Sequence, residues 1–204
     1  MSKEVLISIR PEWVEKIMNG EKTLEVRKTR PKLETPFKVY IYCTSGRPDL
    51  NIPISPERLM RDYLDTGSMR SLNCPLGNGK VVGEFMCDKI DCVDIPYPAF
   101  MGKLDKHWTE DSCCTYYQLH RYFYHDRAYF WHISDLKIYD MPRAISEFTP
   151  NCRFLIDDGE CQYRKVLCDH QRIDYNQDGS PNVVPCERRI QRPPQSWCYV
   201  EELK

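Results

Sequence analysis

Three side chains able to carry a reaction or grip a charged ligand stand close together in one run, Gly20-Glu21-Lys22-Thr23-Leu24-Glu25-Val26-Arg27. A Lys22/Glu25 pair has the makings of an acid and a base for hydrolysis of an amide or a phosphodiester, with Arg27 holding developing negative charge. The same three groups could instead bind. Lys22 and Arg27 would then meet phosphate or base edges, and Glu25 would accept from an exocyclic amine or orient Lys22. A plainer reading makes Glu25 and Arg27 an exposed ion pair on an edge strand, worth about 0–1 kcal/mol, and Lys22 a solubilising charge. Spacing alone does not choose among these.

The neighbouring elements have to position the three. Pro11 suits a first helical turn, Trp13/Ile17 and Val14/Met18 are apolar pairs at i,i+4, and Asn19-Gly20 is a left-handed stop, so a two-turn helix is predicted over 11–19. The chain then alternates. Leu24 and Val26 share one strand face, and Thr23, Glu25 and Arg27 share the other, which looks onto a groove or solvent if the aliphatic face is core. Lys22 leaves the glycine turn before strand parity applies and can swing toward the polar face.

Gly20, Lys22, Glu25 and Arg27 reproduce the G-x-K-x-x-E-x-R signature of the ASCH (activating signal cointegrator homology) domain, and the chain resembles that family. The resemblance extends over Ile7 to Trp13 and Lys28-Thr29-Arg30-Pro31, and the later segments Val81-Val82-Gly83-Glu84-Phe85, Trp131 to Leu136 and Pro194 to Val200 resemble long, cysteine-containing members from Gram-positive bacteria and their phages. It implies an α+β, PUA-like fold over 1–204, a small antiparallel β-barrel flanked by helices with a cysteine-rich insertion at about 150–190. It also implies a cleft for RNA or a modified nucleoside, to which Lys22, Glu25, Arg27, Lys28, Arg10, Trp131, His132 and Glu84 are assigned. One similar ASCH protein is an amidohydrolase of N4-acetylcytidine. Its lysine falls on Lys22, but its catalytic threonine falls on Glu25, so a hydroxyl nucleophile is missing at that position.

Composition bounds the rest. At 204 residues and 41% hydrophobic, the chain fits one domain with insertions, and its net charge of −1 removes any global electrostatic argument for nucleic acid. Attraction must come from local patches: Lys22, Arg27, Lys28, Arg30, Lys32 and Lys38 form one, and Arg188, Arg189 and Arg192 another. No stretch approaches the roughly 20 apolar residues of a membrane span, and the start has no apolar leader region. A cytosolic location is expected, with the eleven cysteines mostly reduced or metal-bound.

Strands are predicted near 4–10, 22–28, 37–43, 79–92, 128–140 and 197–203, and helices near 11–19, 56–65 and 110–124, with a short turn at 144–148. The 110–124 helix carries Tyr116, Tyr117, Tyr122, Phe123 and Tyr124, which either stack bases or pack on the core. Cys113-Cys114 read as two positions on different faces of it. In the insertion, Cys152, Cys161, Cys168, His170 and Cys186 are candidate ligands for a structural zinc, although gaps of eight, six and seventeen residues match no standard finger, and free cysteines or disulfides are the alternatives. Asp174-x-Asn176-x-Asp178-Gly179 imitates a calcium loop, but Pro185 occupies the position of the bidentate glutamate, so it reads as a turn. Three function classes result: an RNA or nucleoside binder, a hydrolase using Lys22/Glu25, or a phage or host accessory protein acting through protein contacts.

Overall fold

The computed structural model describes residues 3–66, 74–95, 104–124, 127–150, 172–184, 190 and 192–203. Six strands form one sheet: β1 (Lys3–Ile9), β2 (Leu24–Arg27), β3 (Phe37–Cys43), β4 (Lys80–Asp94), β5 (Arg127–Arg143) and, beyond a separate hairpin of β6 (Arg172–Tyr175) and β7 (Pro181–Val184), β8 (Trp197–Glu201). Their order is β2-β5-β4-β3-β1-β8, and every ladder is antiparallel except β1–β3. The parallel pair requires a crossover, which α1 (Pro11–Met18) and β2 supply.

The sheet curls as a barrel without a closing ladder between its edge strands, among the described residues. Side chains bridge the gap instead. Arg27 Nη1 donates to Ser196 Oγ at 3.4 Å, Trp197 Nε1 to Thr29 Oγ1 at 3.1 Å, and the Lys32 N–H to the Tyr199 hydroxyl at 2.7 Å. Bulges between β4 and β5, with Asp135 at φ 47°, interrupt the long ladder where it bends. Gly83 sits at that bend, where a β-carbon would run into the Lys137 carbonyl.

The main core lies between α1 and the sheet, with Val5, Ile7, Val14, Ile17, Val39, Ile41, Phe85 and Trp131 fully or almost fully buried. A second apolar cluster gathers Leu24, Val26, Leu119, Phe123 and Phe130. This confirms the predicted parity of β2: its aliphatic face is core.

The remaining elements are α2 (Pro56–Thr66), α3 (Lys106–Asp111), α4 (Tyr116–Phe123), a short 3-10 helix (Ile145–Glu147) and the hairpin β6 (Arg172–Tyr175)–β7 (Pro181–Val184). Two expectations need correction. The single helix over 110–124 is two, broken at Cys113, whose φ is 54°; Thr115 restarts the helix with a capping box to Gln118. Cys113 and Cys114 therefore lie in the turn between helices. The turn around Gly179 is as expected, with Gly179 N–H donating to Asn176 O at 2.9 Å, but it closes a hairpin whose two strands the polar sequence did not announce.

Candidate ligand-binding cleft

Gly20 explains how the signature is presented. At φ 74° it ends α1 in a Schellman turn: Gly20 N–H donates to Ile17 O at 3.0 Å and Glu21 N–H to Lys16 O at 2.9 Å. The chain reverses within two residues and delivers Lys22 to the head of β2. Thr23 N–H then donates to Asp111 O at 2.9 Å, which ties the strand to the α3–α4 turn.

The three charged residues meet as one buried unit. Arg27 Nη2 lies 3.0 Å from Glu25 Oε1, and Lys22 Nζ lies 3.5 Å from Glu25 Oε2; the three side chains are only 9%, 7% and 2% exposed for Arg27, Glu25 and Lys22 respectively. Burial excludes the surface ion-pair reading. Lys22 Nζ also donates to Leu24 O at 2.7 Å and Ser112 O at 2.8 Å, and stands 5.4 Å from the Trp13 ring centroid. Two of its donors are thus spent on backbone carbonyls, and Glu25 faces it as an ion pair. Arg27 Nη2 donates to Ser8 O at 2.6 Å, so one guanidinium touches β1, β2 and the segment leading into β8; its Nε is buried with no partner among the described residues.

This unit lies in a cleft of about 970 Å³, bounded by Ser8, Arg10 and Trp13 on one element pair, by Gln118, Arg121 and Tyr122 on α4, and by Pro193, Pro194 and Gln195 before β8. Four cationic side chains line it, Arg10, Lys22, Arg27 and Arg121, against the carboxylates of Glu12 and Glu25. The cleft is thus locally basic in a chain whose net charge is −1. Lys28 is exposed beside it, with Nζ 5.0 Å from the ring centroid of Tyr122. Arg192 is exposed next to the Pro193–Gln195 wall, which brings part of the second basic patch to the first.

Three sequence candidates lie elsewhere. Trp131 pairs with Glu25 across the ladder but is fully buried, packing on Phe37 and Trp197 at centroid distances of 6.0 and 6.1 Å; it backs the site from the core and does not line the cleft. His132 alternates to the other sheet face, where Nε2 lies 2.7 Å from Asp91 Oδ2. Burial pushes Asp91 up, but hydrogen bonds from Lys89 and His132 outweigh it and hold the carboxyl below its ordinary value. Glu84 accepts a short hydrogen bond from the Tyr139 hydroxyl, and burial together with that carboxylate pushes the phenol well up. Trp131 and His132, adjacent on β5, face opposite ways, and only depth separates a lining ring from a core ring.

The candidate metal ligands Cys152, Cys161, Cys168, His170 and Cys186 lie outside the described residues. Among those described, no group of three or more His, Cys, Asp or Glu is placed to hold a metal, and no helix is long and apolar enough to cross a membrane. Sequence reasoning missed Gln118 and Arg121, for which the Thr115-x-x-Gln118 capping box was the available signal. It also missed the Ser8 and Ser112 carbonyls, for which no sequence signal exists.

No protein-family model and no curated protein matches the chain. Among solved structures, a mutant of ASCH from Zymomonas mobilis superposes with a TM-score of 0.51 over 98% of this chain and 89% of that chain, at 16% identity. ASCH from Zymomonas mobilis, and a second mutant of it, align over 70% and 71% of this chain and 73% and 77% of theirs, at 18% identity and a TM-score of 0.45. An identity that low speaks for architecture alone: this chain shares the α+β fold of that ASCH structure.

Proposed function

We propose that the cleft binds RNA or a modified nucleoside. The observation that carries this reading is the buried Lys22–Glu25–Arg27 unit inside a cleft whose rim adds Arg10, Arg121 and Tyr122. Each part has a role. Arg10 and Arg121, with Lys28 nearby, supply phosphate contacts, Tyr122 and Trp13 supply rings, and Glu25 supplies an acceptor for a base N–H. Each Glu25 oxygen faces one protein cation at ion-pair distance and keeps a lone pair for a ligand.

Lys22 and Arg27 thus act mainly as holders of Glu25. That weighs against the hydrolytic alternative with Lys22 and Glu25 as an acid–base pair, since Lys22 Nζ is already committed to Leu24 O and Ser112 O. The phage or host accessory role has no observation that favours it over binding in the cleft.

Fluorescence anisotropy with a short single-stranded RNA, read over a salt series, tests the proposal. Affinity should fall steeply with salt, and Arg10→Ala and Arg121→Ala should each lower the slope of log K against log salt by about 1. A chain that binds no RNA at low salt, and no nucleoside by calorimetry, would refute it.

A further inference from the structure

Gln118 lines the cleft from α4, and the helix cap decides how its amide is turned. Oε1 accepts from the Thr115 backbone N–H at 2.8 Å and from the Thr115 hydroxyl at 3.1 Å, while Thr115 Oγ1 accepts from the Gln118 N–H at 3.2 Å. A backbone N–H can only donate, so the atom facing it must be the amide oxygen; the usual ambiguity between amide oxygen and nitrogen does not arise. Nε2, with its two N–H donors, is left at the other end of a locked amide and has no partner among the described residues.

Arg121 and Tyr122 follow at i+3 and i+4, on the same side of the helix, and also line the cleft. Leu119 and Phe123 anchor α4 by burying 2% and 0% exposed side chains in the core beneath it. The helix therefore presents a donor, a cation and a ring in a row from a fixed base. Charge on the cleft rim comes from two different elements, Arg10 ahead of α1 and Arg121 on α4. A free nucleoside has no phosphate for either, whereas a strand has one on each side of every base.

We propose that Gln118 reads the base held in this cleft: Nε2 donates to a carbonyl oxygen or ring nitrogen of one nucleotide in single-stranded RNA, with Tyr122 stacking and Arg121 on the phosphate. This rests on the RNA-binding reading above and adds to it a specificity-determining residue and a polynucleotide ligand. The complementary chemistry is simple. Glu25 is an acceptor and Gln118 Nε2 a donor, so the pair can meet a base edge that offers both.

The test is anisotropy of the full chain with four labelled short RNAs, each rich in one base. The wild-type protein should rank the four. Gln118→Ala removes the donor without adding charge and keeps the Thr115 hydroxyl on the helix; it should weaken the preferred RNA about tenfold and flatten the ranking. Gln118→Glu keeps the capping box, because glutamate also fits its third position, yet sets an acceptor where the donor stood. It should flatten the ranking with Tm unchanged, and if it lowers Tm, Gln118→Ala decides.

The inference falls if both variants keep the wild-type ranking, if Gln118→Glu alone weakens all four RNAs by one factor, which is a charge effect, or if the wild-type protein binds the four equally. In each case RNA binding itself still stands. A wild-type protein that binds none of the four overturns the underlying reading instead.

Discussion

Glu25 is shared by two buried cations, and that sharing sets its sensitivity to change. Gln at position 25 would retain the shape but leave Lys22 and Arg27, 2% and 9% exposed at their side chains, without a counter-charge. Breaking a buried ion pair by removing one partner costs about 3–5 kcal/mol. Glu25→Gln should therefore destabilise the fold by about that amount, seen as a lower urea midpoint with an unchanged m-value. A loss below 1 kcal/mol would mean that water reaches the unit and screens it. Arg27 is the less replaceable of the two cations, since its planar fork spans Glu25, Ser8 O and Ser196 Oγ at once and a lysine point charge cannot.

At the scale of elements, two glycines do different work. Gly20 turns α1 into β2 at φ 74° with open space around it, so Gly20→Ala adds backbone strain alone, about 1 kcal/mol. Gly83 has no need of a left-handed backbone, but a β-carbon there strikes the Lys137 carbonyl and crowds Ile138 across the β4–β5 bend. Backbone cannot step aside cheaply, so Gly83→Ala should cost more, about 1–3 kcal/mol. Thermal melts of the two variants measure the difference directly; a larger drop for Gly20→Ala would contradict the account of the bend. The same ladder carries the Asp91–His132 bridge between β4 and β5. Its carboxyl titrates lower in the folded chain than when unfolded, so its stabilisation is present above about pH 4 and fades as the pH falls through the folded value. The Tm gap between the protein and Asp91→Asn should accordingly narrow on acidification below that point, and a gap that stays constant would show that Asp91 contributes no linkage.

At the scale of the whole molecule, burial sorts the thiols of the described residues. Burial pushes Cys43 and Cys87 up to about 12 and Cys198 up to about 11, whereas Cys74 and Cys92 are exposed. Thiolate is the reactive form, so iodoacetamide at neutral pH should label Cys74 and Cys92 well before Cys43 and Cys87, which it should reach only once the chain unfolds. Peptide mass spectrometry over a time course measures this, and early labelling of Cys87 would mean that the β4–β5 core opens readily.

What the sequence determined by itself was local and periodic. Alternation placed Leu24 and Val26 in the core and Glu25 with Arg27 on the other face; Pro11 and Gly20 bracketed α1; and the six sheet strands follow from apolar runs between turn residues, with ends shifted by at most three residues. These are properties of neighbours along the chain, set by side-chain parity and backbone preference. Tertiary structure alone decided depth and company. Strand parity put Glu25 and Arg27 toward a groove, but only the approach of Ser8, Ser112 and Ser196 from distant segments buried them and committed Lys22 to the Ser112 carbonyl. Trp131 and Glu25 share a face, and the packing of Phe37 and Trp197 makes one core and leaves the other in the cleft. The short Thr115-x-x-Gln118 cap was legible as a helix start, yet that it aims an amide into the same cleft depended on where α4 docks, which is a matter of long-range burial and not of sequence spacing.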